Sequence, residues 1–505
     1  MLKIQRVMNR ELGNRRFFIQ PPEPPKELLM NDPADSVYIG KTKLLRVPFY
    51  WTYKNLANPH IAVAGVTGCG KSYLVKTILT RASLVWGTNA LILDWAGEYV
   101  DWVRQVGGKV VRLGKGDSLN LLDLGGMKPA DRIKQVLTSL EILTNLPAFP
   151  GQKRLIENAM EEAYARKGFQ PTEKSSKEAP TLKDVEQALR EQARKARNAK
   201  REEALEALYR IKHLVQNGSD YFASKSTLDL EKLTTSGLVC IDLHGLPSEE
   251  FRSLAGLTIL QFLKERMRDE GWTPKKGLKL LVVCDEAWKI ASDEKSDVIA
   301  IVREGRKYQF GLIVASQNPT DVHKSIFSNC GTLFIMRLQL REFKDYVRDS
   351  LGYSDYIEQE IERFGVGDAA VHMIFQTRTR FPQTFVLEHV DGEEPLTPLR
   401  LEGIEVEIEL EKDELRKRMV EAGLSDQQAR QVIGEFEKRE HRLDALALVA
   451  LLEKMGFARS VIIQFLRELG VREADLVKIF ARMQKARMRL EADKAVALAV
   501  EEVMA

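Results

Sequence analysis

The sequence predicts an α/β fold: a mostly parallel sheet flanked by helices, broken by an all-α insertion and followed by a helical C-terminal extension. Three observations carry that prediction. Short, largely apolar runs recur at 61–64, 90–93, 237–243, 278–284 and 311–315, the pattern of strands buried on both faces. Several of these runs end in glycine or polar residues, as strands do where an α/β sheet builds its ligand crevice. Over 127–233, and again over 391–505, strand signals give way to helical patterning.

From the amino terminus, residues 1–36 read as an extended arm. Pro21, Pro22, Pro24 and Pro25 fix φ and remove donors, so this arm is a linker or a strap onto a neighbouring subunit. Residues 37–52 carry β-rich residues around Gly40 and Pro48 and read as a hairpin into the core. Ile61-Ala62-Val63-Ala64 is a buried strand, and Gly65-Val66-Thr67-Gly68-Cys69-Gly70-Lys71-Ser72 follows it as GxxxxGK[ST], the P-loop or Walker A pattern. A helix begins behind it, near Tyr73. Glycines let successive N–H groups curl inward at a phosphate, and the helix N-terminus adds partial positive charge. Lys71 reaches the β- and γ-phosphates, and the Ser72 hydroxyl ligates Mg²⁺. Gly65, Thr67, Gly68, Cys69, Gly70, Lys71, Ser72 and Tyr73 are therefore the candidate nucleotide-binding set. A chance glycine turn is the alternative, and both flanks argue against it. The strand 90–93 ends in Asp94-Trp95-Ala96-Gly97-Glu98-Tyr99, which places the Asp94 and Glu98 carboxylates at the same crevice. Residues 110–113 read as an edge strand.

The block 127–233 reads as the all-α insertion into a core formed by 37–126 and 234–390, with a loop at 170–180. Its charged run 190–203 fits a solvated helix face or a basic face for DNA or a partner. The α/β pattern returns at 237–243, continues through a helix at 248–270, and reaches a strand ending in Asp285-Glu286. This is a Walker B pattern: Asp285 holds the Mg²⁺ shell through water, and Glu286 orients and deprotonates the attacking water. A helix is expected to carry Arg303-Glu304-Gly305-Arg306-Lys307-Tyr308. The strand 311–315 ends in Ser316-Gln317-Asn318-Pro319, where Gln317 can sit against the γ-phosphate. A strand at 332–337 and the segment 369–386 complete the sheet, with Arg378 and Arg380 near its last turn. Beyond a linker-like stretch at 391–398, two tightly joined amphipathic helices at 443–469 fit either a helix-turn-helix or a small docking bundle.

Composition bounds the function classes. The 505 residues allow roughly three domains, and a net charge of +4 announces no global basic field. Cys69, Cys240, Cys284 and Cys330 have no metal-ligand spacing and read as reduced thiols. Lys3, Arg6 and Arg10 interrupt the first apolar residues, and no run is long enough for a membrane span. A soluble cytoplasmic protein is expected, able to dock at the inner face of a membrane.

The ordered motifs GVTGCGKS, LILDWAGEY, GLVCIDLHGL, LLVVCDEAW and REGRKYQFGLIVASQNPTDVHKSIFSNCGT resemble the HerA/FtsK superfamily of P-loop motors, in its HerA-like and conjugation (type IV secretion) ATPase branch. The resemblance covers 37–125 and 236–390. It implies a RecA-like P-loop NTPase core that hydrolyses ATP with Mg²⁺ as a homo-hexameric ring and moves double-stranded DNA, or helps to secrete DNA or protein. By position it makes Lys71 and Ser72 the nucleotide and Mg²⁺ ligands, Asp285 and Glu286 the Walker B pair, and Gln317 the sensor. It makes Arg306 the arginine presented to a neighbour's ATP, with Arg303 as runner-up. HerA proteins carry an N-terminal β-barrel domain for which little sequence precedes this P-loop. That departure, with the helical insertion and extension, favours a conjugation-like DNA transfer or import role over break repair.

Four function classes remain on this reading: a ring motor on duplex DNA, a secretion or pilus-assembly ATPase acting on protein, an ATP-dependent assembly switch, and a small-molecule kinase. The last is disfavoured because Gln317, the REGRK stretch and a Glu after the Walker B Asp suit water as the acceptor.

Overall fold

The computed structural model describes residues 23–24, 26–31, 36–174, 177–217, 221–222, 225–268, 277–286, 288–304, 307–308, 310–351, 354–377, 383–390, 412–421, 424–437, 449, 452, 457, 459–468, 471, 476 and 480. Its strands are β1 (Val37–Thr42), β2 (Pro48–Trp51), β3 (Ile61–Ala64), β4 (Asn89–Asp94), β5 (Lys109–Arg112), β6 (Leu238–Asp242), β7 (Leu280–Asp285), β8 (Phe310–Ser316), β9 (Thr332–Ile335), β10 (Ala369–Met373) and β11 (Thr384–Val390). They form one sheet in the order β2-β1-β11-β10-β9-β3-β8-β7-β4-β6-β5.

Every neighbouring pair from β9 to β5 is parallel. The other wing, from β9 out to β2, is antiparallel. The expected hairpin at 37–52 is β1–β2, and the expected edge strand at 110–113 is β5 at the far edge of the sheet.

The apolar runs have two covered faces. Alternate residues of each strand go to opposite cores. Ala62, Leu91, Leu93, Val282 and Val314 join one cluster, and Ile61, Val63, Ile92, Val283 and Ile313 join the other. Helix α1 (Lys71–Trp86) lays Leu74, Val75, Ile78, Leu79 and Ala82 on the second face and ends at Gly87, whose φ of 67° suits glycine.

Between β5 and β6 run α2 (Pro129–Leu143), α3 (Pro150–Arg166), α4 (Leu182–Lys195) and α5 (Ala199–Asn217). This block shares the first cluster with the sheet through α6 (Glu249–Arg268), because Ile133, Val136 and Leu140 join Leu254, Leu257 and Ile259. A polar thread fixes the junction. Arg132 is fully buried and donates to the Leu121 carbonyl at 2.8 Å and to Gln261 at 3.0 Å, and Gln261 donates to Asp297 at 2.9 Å. Asp297 opens α7 (Asp297–Glu304), which leads into the β8 side of the sheet.

Several boundaries differ from the sequence reading. The arm is not extended to residue 36: Lys26–Leu29 form a helical turn, and Leu29 is buried on the chain's own sheet. Glu23, itself buried, accepts from the amides of Leu44 (2.7 Å) and Leu45 (3.2 Å) and so caps the β1–β2 turn. The charged run 190–203 is not one helix face. It is split between α4 and α5 at Asn198, whose φ is 54°. The helix expected to carry 303–308 is described over Asp297–Glu304, and 305–306 lie outside the described residues. Arg306, Arg378 and Arg380, most of the arm, the linker at 391–398 and most of the helical pair at 443–469 lie outside the described residues. The C-terminal stretch contributes α10 (Lys412–Glu421), α11 (Asp426–Glu437) and α12 (Arg459–Glu468), and α12 packs on α1. Among the described residues no helix is long and apolar enough to cross a membrane.

Candidate active site at the carboxyl edge of the parallel sheet

The crevice forms where β3 is flanked by β9 on one side and β8 on the other. The loop from Gly65 to Gly70 is sewn to both neighbours: the Gly65 amide donates to Ser316 (3.3 Å) and the Val66 amide to Arg337 (3.0 Å). Two glycines are sterically required. A Cβ at Gly65 would stand 2.7 Å from Cys69 Sγ and 2.8 Å from Met336 Cβ. Gly70, the residue that starts α1, has φ 105° and would press Met336 Cε at 3.3 Å. Gly68, with φ 76°, and Thr67 lie exposed at the loop's tip, and Cys69 is buried beneath it. Burial pushes the Cys69 thiol up, which makes it a packing group and a poor nucleophile. Tyr73 is half-buried on the first turn of α1.

Lys71 is buried, with Nζ donating to the carbonyls of Gly65 (2.9 Å) and Val66 (3.4 Å), and it stands 4.0 Å from the Glu286 carboxylate. The loop thus points its cation at the Walker B carboxylates. Glu286 is held with φ 55°, in the left-handed region that a non-glycine residue enters at a cost of about 1–3 kcal/mol. The bond from its amide to the Ala315 carbonyl, at 3.0 Å, pins this conformation beside β8. Burial raises the Glu286 carboxyl and the Glu98 charge adds to the rise, while hydrogen bonds from Gln317 and the Lys71 cation oppose it. Gln317 reaches the P-loop as well, because its carbonyl accepts from the Thr67 hydroxyl at 2.6 Å. One side chain therefore bridges the phosphate loop and the carboxylate that would activate water.

Asp285 is buried, and burial pushes its carboxyl up to about 7; the charges of Glu286 and Glu98 add to the rise, and the Tyr99 hydroxyl and Lys71 oppose it. Its Oδ1 is enclosed without a hydrogen-bond partner. A buried, unpartnered carboxylate oxygen near the P-loop lysine and Glu98, the partner of Ser72, fits a hydrated cation. Mg²⁺ keeps several waters and takes its remaining ligands from one or two carboxylates and substrate phosphates. Among the described residues no group of three or more His, Cys, Asp or Glu could hold a metal unaided. Ser72 and Asp285 are the residues that would hold such an ion.

Glu98 and Asp94 have different positions. The Ser72 hydroxyl donates to Glu98, so Glu98 lies in the crevice. Asp94 is fully buried and its carboxylate is taken up by three backbone amides: Gly97 (2.8 Å), Glu98 (3.1 Å) and Tyr99 (2.9 Å). It acts on the crevice through the turn that presents Glu98. Arg303, read as a runner-up for a trans-acting arginine, is engaged locally with Glu294 and Ser325, each at 2.9 Å.

The sequence reading missed three contributors. Tyr99 faces Asp285, and Lys76 donates to the Glu98 carbonyl (2.9 Å) while lying 5.1 Å from the Tyr99 ring centroid. The loop after α9 (Asp355–Arg363), which follows α8 (Arg341–Leu351), closes on the P-loop, with the Gly367 amide donating to the Cys69 carbonyl at 3.0 Å. The i, i+4 spacing of Ser72 and Lys76 on α1 could have drawn attention to Lys76. Nothing local marks Gly367, whose place follows from β10 pairing with β9.

Residues 37–262 match the family model for the central domain of helicase HerA. The chain is 26% identical over 386 residues to the DNA double-strand break repair helicase HerA of Pyrococcus furiosus, covering 67% of each protein. It is 23% identical over 369 residues to the DNA import protein CedB of Sulfolobus acidocaldarius, covering 70% of this chain and 57% of that one. The chain thus spans about three fifths to two thirds of these relatives. The solved structure of VirB4 of Thermoanaerobacter pseudethanolicus shares its fold, with a TM-score of 0.60 at 18% identity over 73% of this chain and 100% of that one. With the P-loop, the paired strand-end carboxylates and this sheet order in place, the chain is similar to the HerA-type P-loop ATPases over its central part and shares the fold of VirB4.

Proposed function

We propose that the protein is an ATP-driven motor that moves double-stranded DNA as a homo-hexameric ring, in a conjugation-like DNA transfer or import system. The observation that carries the ATPase half is the linkage of Thr67, Gln317, Glu286 and Lys71, in which loop, sensor and base are mutually in contact. Lys71 exchanges its bonds to the loop carbonyls for the β- and γ-phosphates. Ser72 and Asp285 would hold Mg²⁺, whose charge would offset that of the phosphate oxygens. Glu286 takes the proton of the attacking water, and Gln317 orients that water and reports the γ-phosphate to the loop. Its raised pKa makes Glu286 a stronger base for that step.

The DNA half of the reading rests on relatives described as a repair helicase and a DNA import protein. ATP turnover measured with and without duplex DNA, at two salt concentrations, tests it. A DNA motor is stimulated, and the stimulation falls steeply with salt because phosphate contacts release counterions. Turnover indifferent to DNA would leave the secretion or pilus-assembly reading, in which protein is the moved substrate at a membrane complex.

A further inference from the structure

Arg337 lies two residues beyond β9, on the opposite side of the P-loop from Gln317. Its backbone is tied to the loop, since its carbonyl accepts the Val66 amide at 3.0 Å. Its neighbour Met336 packs under the loop against Gly65 and Gly70. The Arg337 side chain is half-buried, and its Nε is enclosed without a hydrogen-bond partner. Among the described residues no carboxylate forms an ion pair with it; Glu98 bonds Ser72, Asp94 its own turn, Glu286 lies by Lys71 and Gln317, and Asp368 accepts from the Gly365 amide. Its charge is felt at the Cys69 thiol beneath the loop. A buried guanidinium donor with no acceptor is costly, and a planar fork of donors suits an anion with several oxygens. The anion site next to it is the one built by the P-loop amides and the N-terminus of α1.

We infer that Arg337 is a nucleotide-binding residue acting in cis, closing on the polyphosphate of a nucleoside di- or triphosphate from the β9 side while Gln317 closes from the β8 side. This rests on the ATPase reading above and adds a ligand that neither the P-loop pattern nor the Walker B pair contains.

Titration of the full-length protein with ATP, ADP and AMP tests it, using wild type, Arg337→Ala and Arg337→Lys. Arg337→Ala is expected to weaken ADP and ATP about tenfold or more, the size of a lost charge-assisted contact, with AMP affected least. Arg337→Lys should recover part of the loss, KM for ATP should rise more than kcat falls, and melting without nucleotide should stay unchanged. Affinity unchanged in Arg337→Ala overturns the inference, as does lower melting at unchanged affinity, which would make Arg337 a packing residue. A trans role is separated by mixing Arg337→Ala with Lys71→Ala. With ATP held below the raised KM, where Arg337→Ala alone turns over slowly, recovery of turnover in mixed rings contradicts action in cis, and no recovery supports it. Failure of the wild type to bind ATP would sink the ATPase reading itself, whereas tight wild-type binding that Arg337→Ala leaves intact sinks the Arg337 role alone.

Discussion

Lys71 and Glu286 stand 4.0 Å apart and divide the proposed chemistry between binding and proton transfer. Removing each is expected to fail differently. Lys71→Ala takes away the cation that meets the phosphates and should abolish ATP binding with the fold intact. Wild-type turnover in that variant would sink the assignment. Glu286→Gln keeps the lysine and the magnesium ligands, so it should bind ATP and lose about 10²–10⁴ in turnover, the usual worth of a positioned base. Loss of ATP binding in Glu286→Gln, measured by titration, would make Glu286 structural. These residues were legible because their chemistry needs local spacing: a strand, a glycine loop, a lysine, and a second strand ending in two carboxylates. Tyr99 and Arg337 were not. Tyr99 meets Asp285 because β7 pairs with β4, and Arg337 meets the loop because β9 pairs with β3; no local pattern states either pairing.

At the scale of elements, the parallel half of the sheet was readable from runs without alternation, which only double coverage explains. The charged run 190–203 hid the break at Asn198, since charged residues suit a solvated helix and a solvated turn alike. The strand β10 supplies a pH test. His372 is buried there, its Nδ1 2.7 Å from Thr384 Oγ1, and desolvation lowers its pKa from 6.5 to about 4. The folded state therefore binds fewer protons than the unfolded chain, so its contribution is whole above pH 6.5 and is lost as pH falls toward 4. Between pH 7 and pH 5 this is about 2 kcal/mol. Asp285, Glu286 and Asp94 are raised and act in the opposite direction, so the difference between wild type and His372→Gln isolates the histidine. Thermal melts should show a smaller acid loss in His372→Gln; equal losses would refute the assignment. Helix α12 carries a second test. It buries Ile462, Ile463, Phe465 and Leu466, and its Arg459 lies against Gly87 at the end of α1. Deleting 400–505 should leave a core that folds and binds nucleotide but melts lower, because that apolar surface returns to water. An insoluble truncation would show that these helices complete the core.

At the scale of the whole molecule, the nucleotide crevice opens at the carboxyl edge of the parallel strands, where the proposed ring would bring a second subunit. In a closed head-to-tail ring each site is heterologous, so one subunit can complete its neighbour's chemistry. Four described cations near the crevice already have places: Lys71 lies in the loop, Lys76 packs on Tyr99, Arg337 is inferred to act in cis, and Arg303 pairs with Glu294, an exposed contact of small worth. That leaves Arg306, two residues beyond the end of α7, as the candidate for action in trans. A guanidinium supplied to the charge developing on the γ-phosphate is worth about 10³–10⁵ in rate in related phosphoryl transfer, so Arg306→Ala should be nearly inactive alone. Lys71→Ala should be inactive too, for a different reason. Mixed rings then decide the matter. Some interfaces will pair an intact P-loop from one subunit with an intact Arg306 from the next, and those interfaces should hydrolyse ATP. Turnover that reappears on mixing, in rings shown by mass to contain both variants, places Arg306 across the interface. A dead mixture, or full turnover in Arg306→Ala alone, removes it from the reaction.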